Sequence, residues 1–473
     1  MAQILCLTSG LTGITNASLE LVKRLERAGH EVTFGSTRPI GELVAANEID
    51  YLQLPPVNFF PGGQDKSGGG LGQRLQKWWY RWQNRKERRA EAVKALGMDV
   101  FADQLRSLKP GLLIIDIELH EHLMTAVVMG IPTVLVSPWF SLWQRPGLPP
   151  LMQDTIPGQG WRGSAIGLSW AWWLWRWQRR WMFGKKYLRS VGTNRRSVLL
   201  AYAREIGFPL HYVPDNYWPG PLTYSSLPVI SVTIQEMEFS HDPQPWFTYV
   251  GAMVKDQRRE AQKDMVLTDQ LDQIFEDCRT NNKRLICCTV STFKAGDTAF
   301  LKRLLVAVEK RLDWVLILGL GAKLQVSDLG EIPANTYVFP WIPQMNVLAH
   351  ADCSINHAGI HTINECIHFR VPMLIYSGKR SDQNGCAARA HYHQIGIMAD
   401  KDRDDSTAIE RKIEEVLDSS SIRASLEQMH HYYKRYKDTQ VLERYVDDIL
   451  TKEQDSAGIA SGNLGGGQRV DIE

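Results

Sequence analysis

The chain has 473 residues, 44% hydrophobic and 22% charged, which suffices for two or three domains with sizeable cores and excludes a disordered chain. With 54 Lys and Arg against 52 Asp and Glu, the formal net charge is +2, and this balance predicts no acidic partner. Seven cysteines, at 6, 278, 287, 288, 353, 366 and 386, have the spacing of neither a metal site nor a disulfide framework, and an odd set of scattered thiols fits a reducing cytoplasm.

The opening MAQILCLTSG lacks a basic stretch followed by an apolar one, so no signal peptide is expected. Ile4 to Thr8 reads as a buried strand and Ser9 to Thr15 as a glycine-containing loop. The helix that follows, capped by Asn16 or Ser18, carries Leu19, Val22 and Leu25 on one face. Gly29 ends it, and Glu31 to Phe34 is the next strand. Strand, loop, helix and strand in so short a span imply parallel pairing through a right-handed crossover. Gly111 to Ile115, running into Asp116, and Ile131 to Ser137 are further buried strands. The pattern restarts after about 280, with strands at Leu285 to Val290, Trp314 to Leu318, Thr336 to Phe339, Cys353 to Asn356 and Met373 to Tyr376, a helix carrying Phe300, Leu304 and Val308, and another from about 360.

The predicted fold is therefore α/β, two Rossmann-like domains with parallel sheets facing a cleft. Residues 1–240 form the first domain, with a Trp/Arg-rich insertion at about 140–220. A polar linker region spans 241–280, a second domain spans 281–450, and the glycine-rich tail 455–473 reads as disordered. Two such domains suit a nucleotide-bearing ligand at the carboxyl ends of their strands.

Residues 341–383 hold a set of groups suited to a nucleotide sugar. Trp341, at a strand end, offers a flat face for a base. His357, Gly359 and Thr362 open a helix whose free N–H groups and positive dipole end favour a diphosphate, and Gly359 permits close backbone approach. Glu365 lies one turn deeper, in position to accept from ribose hydroxyls, and Asp382 and Gln383 follow the next strand, where they can bond sugar hydroxyls.

The spacing from Trp341 through Gln344, His350, His357, Gly359, Thr362 and Glu365 to Asp382-Gln383 resembles the donor signature of the UDP-glycosyltransferase superfamily, whose fold is GT-B. The first strand-loop-helix, the Gly130-Ile131-Pro132 turn and the loop from Thr289 to Thr292 resemble it too, and Thr292 stands where the family contacts phosphate. Ile360, His361 and Arg370 replace the family's frequent Trp, Asn and Gly, and His361 can still donate to phosphate. The resemblance implies an inverting transfer from a UDP-sugar to an acceptor held by the first domain. It also implies a last long helix, about 408–450, crossing back to that domain. A carboxylate at Glu365 favours a ribonucleotide, and a motif ending in Gln favours glucose, hence UDP-glucose. No cofactor is expected, and no carboxylate pattern suited to a metal is evident.

The family's usual base, a histidine in the first loop, aligns with Ile14, which cannot move a proton. Asp116, the usual partner of that histidine, is present at its strand end. Three readings stay open: Asp116 acts as base, alone or with His120 one helical turn away; no base is needed; or the protein binds donor without turnover. A nucleotide-sugar epimerase of similar fold is a further alternative.

Twelve of the sixteen Trp residues lie between 78 and 181, and residues 176–196 hold eight basic residues and no acidic one. Trp suits the boundary between headgroups and acyl chains, and Arg and Lys suit anionic lipid phosphates. Arginines at 176, 179 and 180 interrupt the 165–183 segment, so it is expected to lie in an anionic membrane surface rather than span it. The Trp residues could instead line a pocket for a lipophilic or aromatic acceptor, or serve as packing. The donor motif and the near-neutral chain argue against nucleic acid.

Overall fold

The computed structural model describes residues 1–57, 71–214, 220–254, 265–289, 297–321, 324–379 and 382–462. Two all-parallel sheets organise the chain. The first runs in the order β3-β2-β1-β4-β5-β6-β7, with β1 Gln3–Thr8, β2 Glu31–Ser36, β3 Asp50–Gln53, β4 Leu112–Asp116, β5 Thr133–Ser137, β6 Val229–Ser231 and β7 Phe247–Tyr249. The second runs β10-β9-β8-β11-β12-β13, with β8 Arg284–Thr289, β9 Trp314–Gly319, β10 Thr336–Phe339, β11 Cys353–Asn356, β12 Met373–Tyr376 and β13 Gly396–Ala399. The β4 run Leu112-Leu113-Ile114-Ile115 is wholly buried. Continuous apolar strands of this kind mark a parallel sheet covered on both faces.

Each sheet reverses its strand order once, at β1/β4 in the first and at β8/β11 in the second. The crevice beyond the carboxyl ends of such a pair is where open α/β sheets bind ligands. Thr8 and Asp116 end the first pair, and Thr289 and Asn356 end the second.

Three expectations are corrected in detail. The polar region 241–280 is not all linker. Phe247–Tyr249 pairs with β6, and the helix Met265–Thr280 buries Leu271, Ile274 and Phe275. A three-residue strand among polar neighbours leaves almost no periodic signal. The expected helix 408–450 is three helices, Ser406–Asp418, Ser420–Asp438 and Val441–Gly462. Ser419 caps the second by accepting from the Ile422 N–H, and Gln440 takes a left-handed φ of 50° before the third. That last helix does return to the first domain. Leu442 and Val446 join its core, and Glu443 takes both prongs of Arg24 at 2.8 Å. It extends to Gly462, into the stretch expected to be disordered, while 463–473 lie outside the described residues.

All seven cysteines are free and buried. Burial pushes Cys6 and Cys288 each up to about 12, which keeps both as inert thiols.

Candidate active site

A cleft of about 1130 Å³ lies where the two switch points face each other, and residues of both domains line it. On the second domain's wall, Trp341 follows β10 and stands 45% exposed, with its ring open to a ligand. Gln344 opens the helix Gln344–His350. Its Nε2 donates to Glu365 Oε2 at 2.5 Å and to Thr362 Oγ1 at 3.3 Å. One amide thus fixes two groups on the helix Ile360–Phe369. His357 directly follows β11, and burial pushes its pKa down, opposed by the Thr289 backbone, so it stays neutral. Ala358 holds a left-handed φ of 63°, stabilised by its N–H donating to Asn356 Oδ1 at 2.9 Å. This turn aims the N-terminus of Ile360–Phe369, beginning at Gly359, into the cleft. Asp382 and Gln383 complete the wall. Every expected donor residue except Thr292, which lies outside the described residues, lines this one cleft.

The opposite wall comes from the first domain. Asp116 is buried at the end of β4. Its Oδ2 accepts from the Ser9 N–H at 3.1 Å and its Oδ1 from the Glu118 N–H at 3.0 Å, tying the ends of β1 and β4 together. Burial raises its pKa, with the Ser9 and Glu118 bonds and the charge of Arg195 opposing. Ile14 sits in the first turn of Thr12–Arg27, buried, and lines the cleft.

His120 does not join Asp116. Asp116 closes a strand and His120 begins the helix His120–Val128, so no shared helical turn brings them to one face. The ring is 1% exposed, its Nδ1 lies 3.0 Å from Tyr224 Oη, and it is absent from the cleft lining. Burial, then the nearby Arg195 charge, pushes it down to about 3.

Sequence reasoning missed Arg38 and Arg195 in the lining. Arg38 lies two residues beyond β2, a position that strand-end logic could have found. Arg195 arrives from the insertion, where its Nη2 donates to Glu118 O at 3.2 Å, and nothing local signals it. A β-carbon placed on Gly13 would lie 2.5 Å from His361 Cδ2 and 3.2 Å from its Nε2. The two domains thus touch at the cleft through this histidine. Among the described residues no cluster of His, Cys, Asp and Glu is arranged to hold a metal.

The Trp-rich segments form a separate surface. The helix Ala165–Ser190 turns Trp172 and Arg179 inward. Trp172 Nε1 donates to Leu148 O at 2.7 Å and Arg179 Nη2 to Gly220 O at 3.0 Å. Ile166, Trp170, Trp173, Trp177, Trp181 and Leu188, spaced to share one helical face, are exposed. Trp170 stacks on Trp173 at 4.8 Å, and Lys185 lies over Trp181. The helix Leu71–Gln83 extends the surface. Its Trp78 Nε1 donates to Leu188 O at 2.9 Å, and Trp79 and Trp82 stack, half-exposed, beside Arg85. Among the described residues no helix is long and apolar enough to cross a membrane.

Known proteins match this architecture. The erythromycin biosynthesis protein CIII-like C-terminal domain family matches residues 303–442, the stretch that builds the donor wall. The oleandomycin glycosyltransferase of Streptomyces antibioticus is 24% identical over 367 residues, 76% of this chain and 71% of that protein. The chain is thus similar to glycosyltransferases, in keeping with its resemblance to the UDP-glycosyltransferase superfamily. An uncharacterized UDP-glucosyltransferase, YdhE of Bacillus subtilis (strain 168), is 25% identical over 138 residues, 29% of this chain and only 35% of that relative's length. The crystal structure of the glycotransferase of kitacinnamycin covers 95% of this chain and 99% of its own at a TM-score of 0.65 and 15% identity, which establishes the GT-B fold. Arg370, with a φ of 58°, ends Ile360–Phe369 in a conformation that glycine adopts more readily.

Proposed function

We propose that this protein transfers a hexose, glucose by preference, from a UDP-sugar to a lipophilic or aromatic acceptor with inversion at the anomeric carbon. One observation carries the reading: every donor-type side chain among the described residues lines the same cleft as Asp116 and Ser9. Trp341 stacks on uracil, and Glu365, pre-oriented by Gln344, accepts from the ribose hydroxyls. His357, Thr362 and the helix N-terminus meet the charge that develops on the leaving diphosphate. Fixed donors of this kind act without reorganising and often supply the largest catalytic contribution. Asp382 and Gln383 hold sugar hydroxyls, and Asp116 borders the acceptor. His120, held against Tyr224, has no path to the acceptor. The charge of the diphosphate is balanced by protein groups without a metal.

The acceptor reaches the first domain from an anionic membrane face. The exposed Trp stripe of Ala165–Ser190 has the amphipathic, basic-flanked form of a helix lying in the headgroup boundary, about 39 Å long at ~1.5 Å per residue. Its buried side is bonded to the domain, so it is an anchor rather than a free lid.

The test is UDP release from UDP-glucose with and without a hydroxylated carotenoid, a diacylglycerol or an alkylphenol. Acceptor-dependent release is expected. Ile14 at the position of the usual base favours one rival, a donor-binding protein without turnover. Tight UDP-glucose binding with no release on any acceptor would select it.

A further inference from the structure

The transferase reading leaves a proton without a destination, because the acceptor hydroxyl must lose it as its oxygen attacks the sugar and Ile14 cannot take it. From the contact between His361 and Gly13 across the cleft, we infer that the base is supplied by the opposite domain: His361 takes the acceptor proton. This inference rests on the function proposed above.

The geometry supports it in two ways. The His361 ring packs on Gly13, the neighbour of Ile14, with its Cδ2 and Nε2 nearest. An imidazole therefore stands beside the position that lacks one, reached from Ile360–Phe369 instead of from Thr12–Arg27. The absence of a β-carbon on Gly13 is also what makes room for it. Gly13 has an ordinary negative φ, so the glycine is not required by the backbone and its small size matters through this contact.

Several other titratable groups on the cleft hold contacts of their own. Both oxygens of Asp116 accept backbone N–H groups, and Glu365 accepts from Gln344. Arg195 donates to the Glu118 backbone carbonyl, and Arg38 covers the loop at Gly10. Glu121 is buried beside His122, Asp382 lies at the sugar end of the wall, and His357 is buried at the diphosphate end, beside Thr289. Leu11 to Asn16, the part of the first domain nearest His361, contains no titratable side chain.

In the step itself the acceptor O–H proton passes to a ring nitrogen of His361. The freed oxygen pair forms the bond to the anomeric carbon, and the bond from that carbon to the phosphate oxygen breaks with its electrons going to UDP. The imidazolium then returns its proton to solvent. Neither oxidant nor metal is needed.

The experiment uses the full chain, UDP-glucose and whichever of the three acceptors above the wild type glycosylates. His361→Asn installs the residue common in relatives. It should cut kcat by ~10²-fold or more and remove the acidic limb of the pH–rate profile, while the UDP Kd changes less than about threefold. Gly13→Ala, which displaces the ring without removing it, should lower kcat in the same direction. Ile14→His placed in the His361→Asn background should restore turnover. Wild-type kcat and an unchanged pH profile in His361→Asn would overturn the inference. So would a loss of UDP affinity that matches the loss of rate, since the ring would then be a phosphate ligand. A wild type that transfers to no acceptor would instead remove the transferase reading on which the inference stands.

Discussion

Arg389 and Glu238 form an ion pair from which water is fully excluded, the Arg389 Nε donating to Glu238 Oε1 at 2.5 Å with both side chains at 0% exposure. Arg389 lies in Gln383–Tyr392, the helix opened by Gln383, whereas Glu238 follows β6 in the first domain. The rings of Phe140 and Phe239 pack against the guanidinium at 5.0 and 4.6 Å. The pair therefore fixes the Gln383 end of the second domain's cleft wall to the first domain.

Breaking that pair by removing one partner leaves a charge stranded in a dry site. Glu238→Gln should destabilise the protein by about 3–5 kcal/mol, read as a lower midpoint in urea. The double variant Glu238→Gln/Arg389→Met should recover part of the loss, because it strands neither charge.

On the proposed function, donor binding depends on the open face of Trp341. Trp341→Ala should weaken UDP binding by ~1–3 kcal/mol, roughly 5- to 150-fold, in a calorimetric titration. Unchanged affinity in a folded variant would remove Trp341 from the site.

Membrane attachment should follow the exposed stripe and not tryptophan content as such. Replacing Trp170, Trp173, Trp177 and Trp181 by Gln should abolish sedimentation with phosphatidylserine vesicles, and raising salt should release the wild type in part through screening. Replacing the buried Trp172 should lower thermal stability instead, since its ring and N–H are used inside the domain.

Acid should weaken the fold through His120. Its folded pKa of about 3 lies below the unfolded value of 6.5, so the unfolded chain binds the extra proton. The neutral ring's contribution is complete above pH 6.5 and is lost as pH falls toward 3. Between pH 7 and pH 5 this amounts to about 2 kcal/mol. Urea titrations at the two pH values should show a smaller difference in His120→Gln than in wild type.

The donor wall was legible because each of its parts sits at the end of one strand or the start of one helix. Trp341, His357 and Gln383 are placed by local chain punctuation, and the parallel sheet collects them. The acceptor wall was not legible on those terms. His361 meets Gly13, and Arg195 meets Glu118, across sequence separations that no periodicity spans. The pairing of Asp116 with His120 failed for a related reason: four residues mean one helical turn only inside a helix, and here a strand end and a bend intervene. β7 was missed because three residues are too few to show alternation.

The return of Val441–Gly462 to the first domain bears on how such proteins can be recombined. The second domain is an insert whose two ends both lead back to its partner, so a single crossover near residue 255 would give the hybrid a foreign last helix. Leu442, Val446 and Glu443 would then be mismatched against the native core and Arg24. A chimaera built to change the donor sugar needs two junctions, the second at the left-handed turn of Gln440, so that each half keeps its own hydrophobic interior.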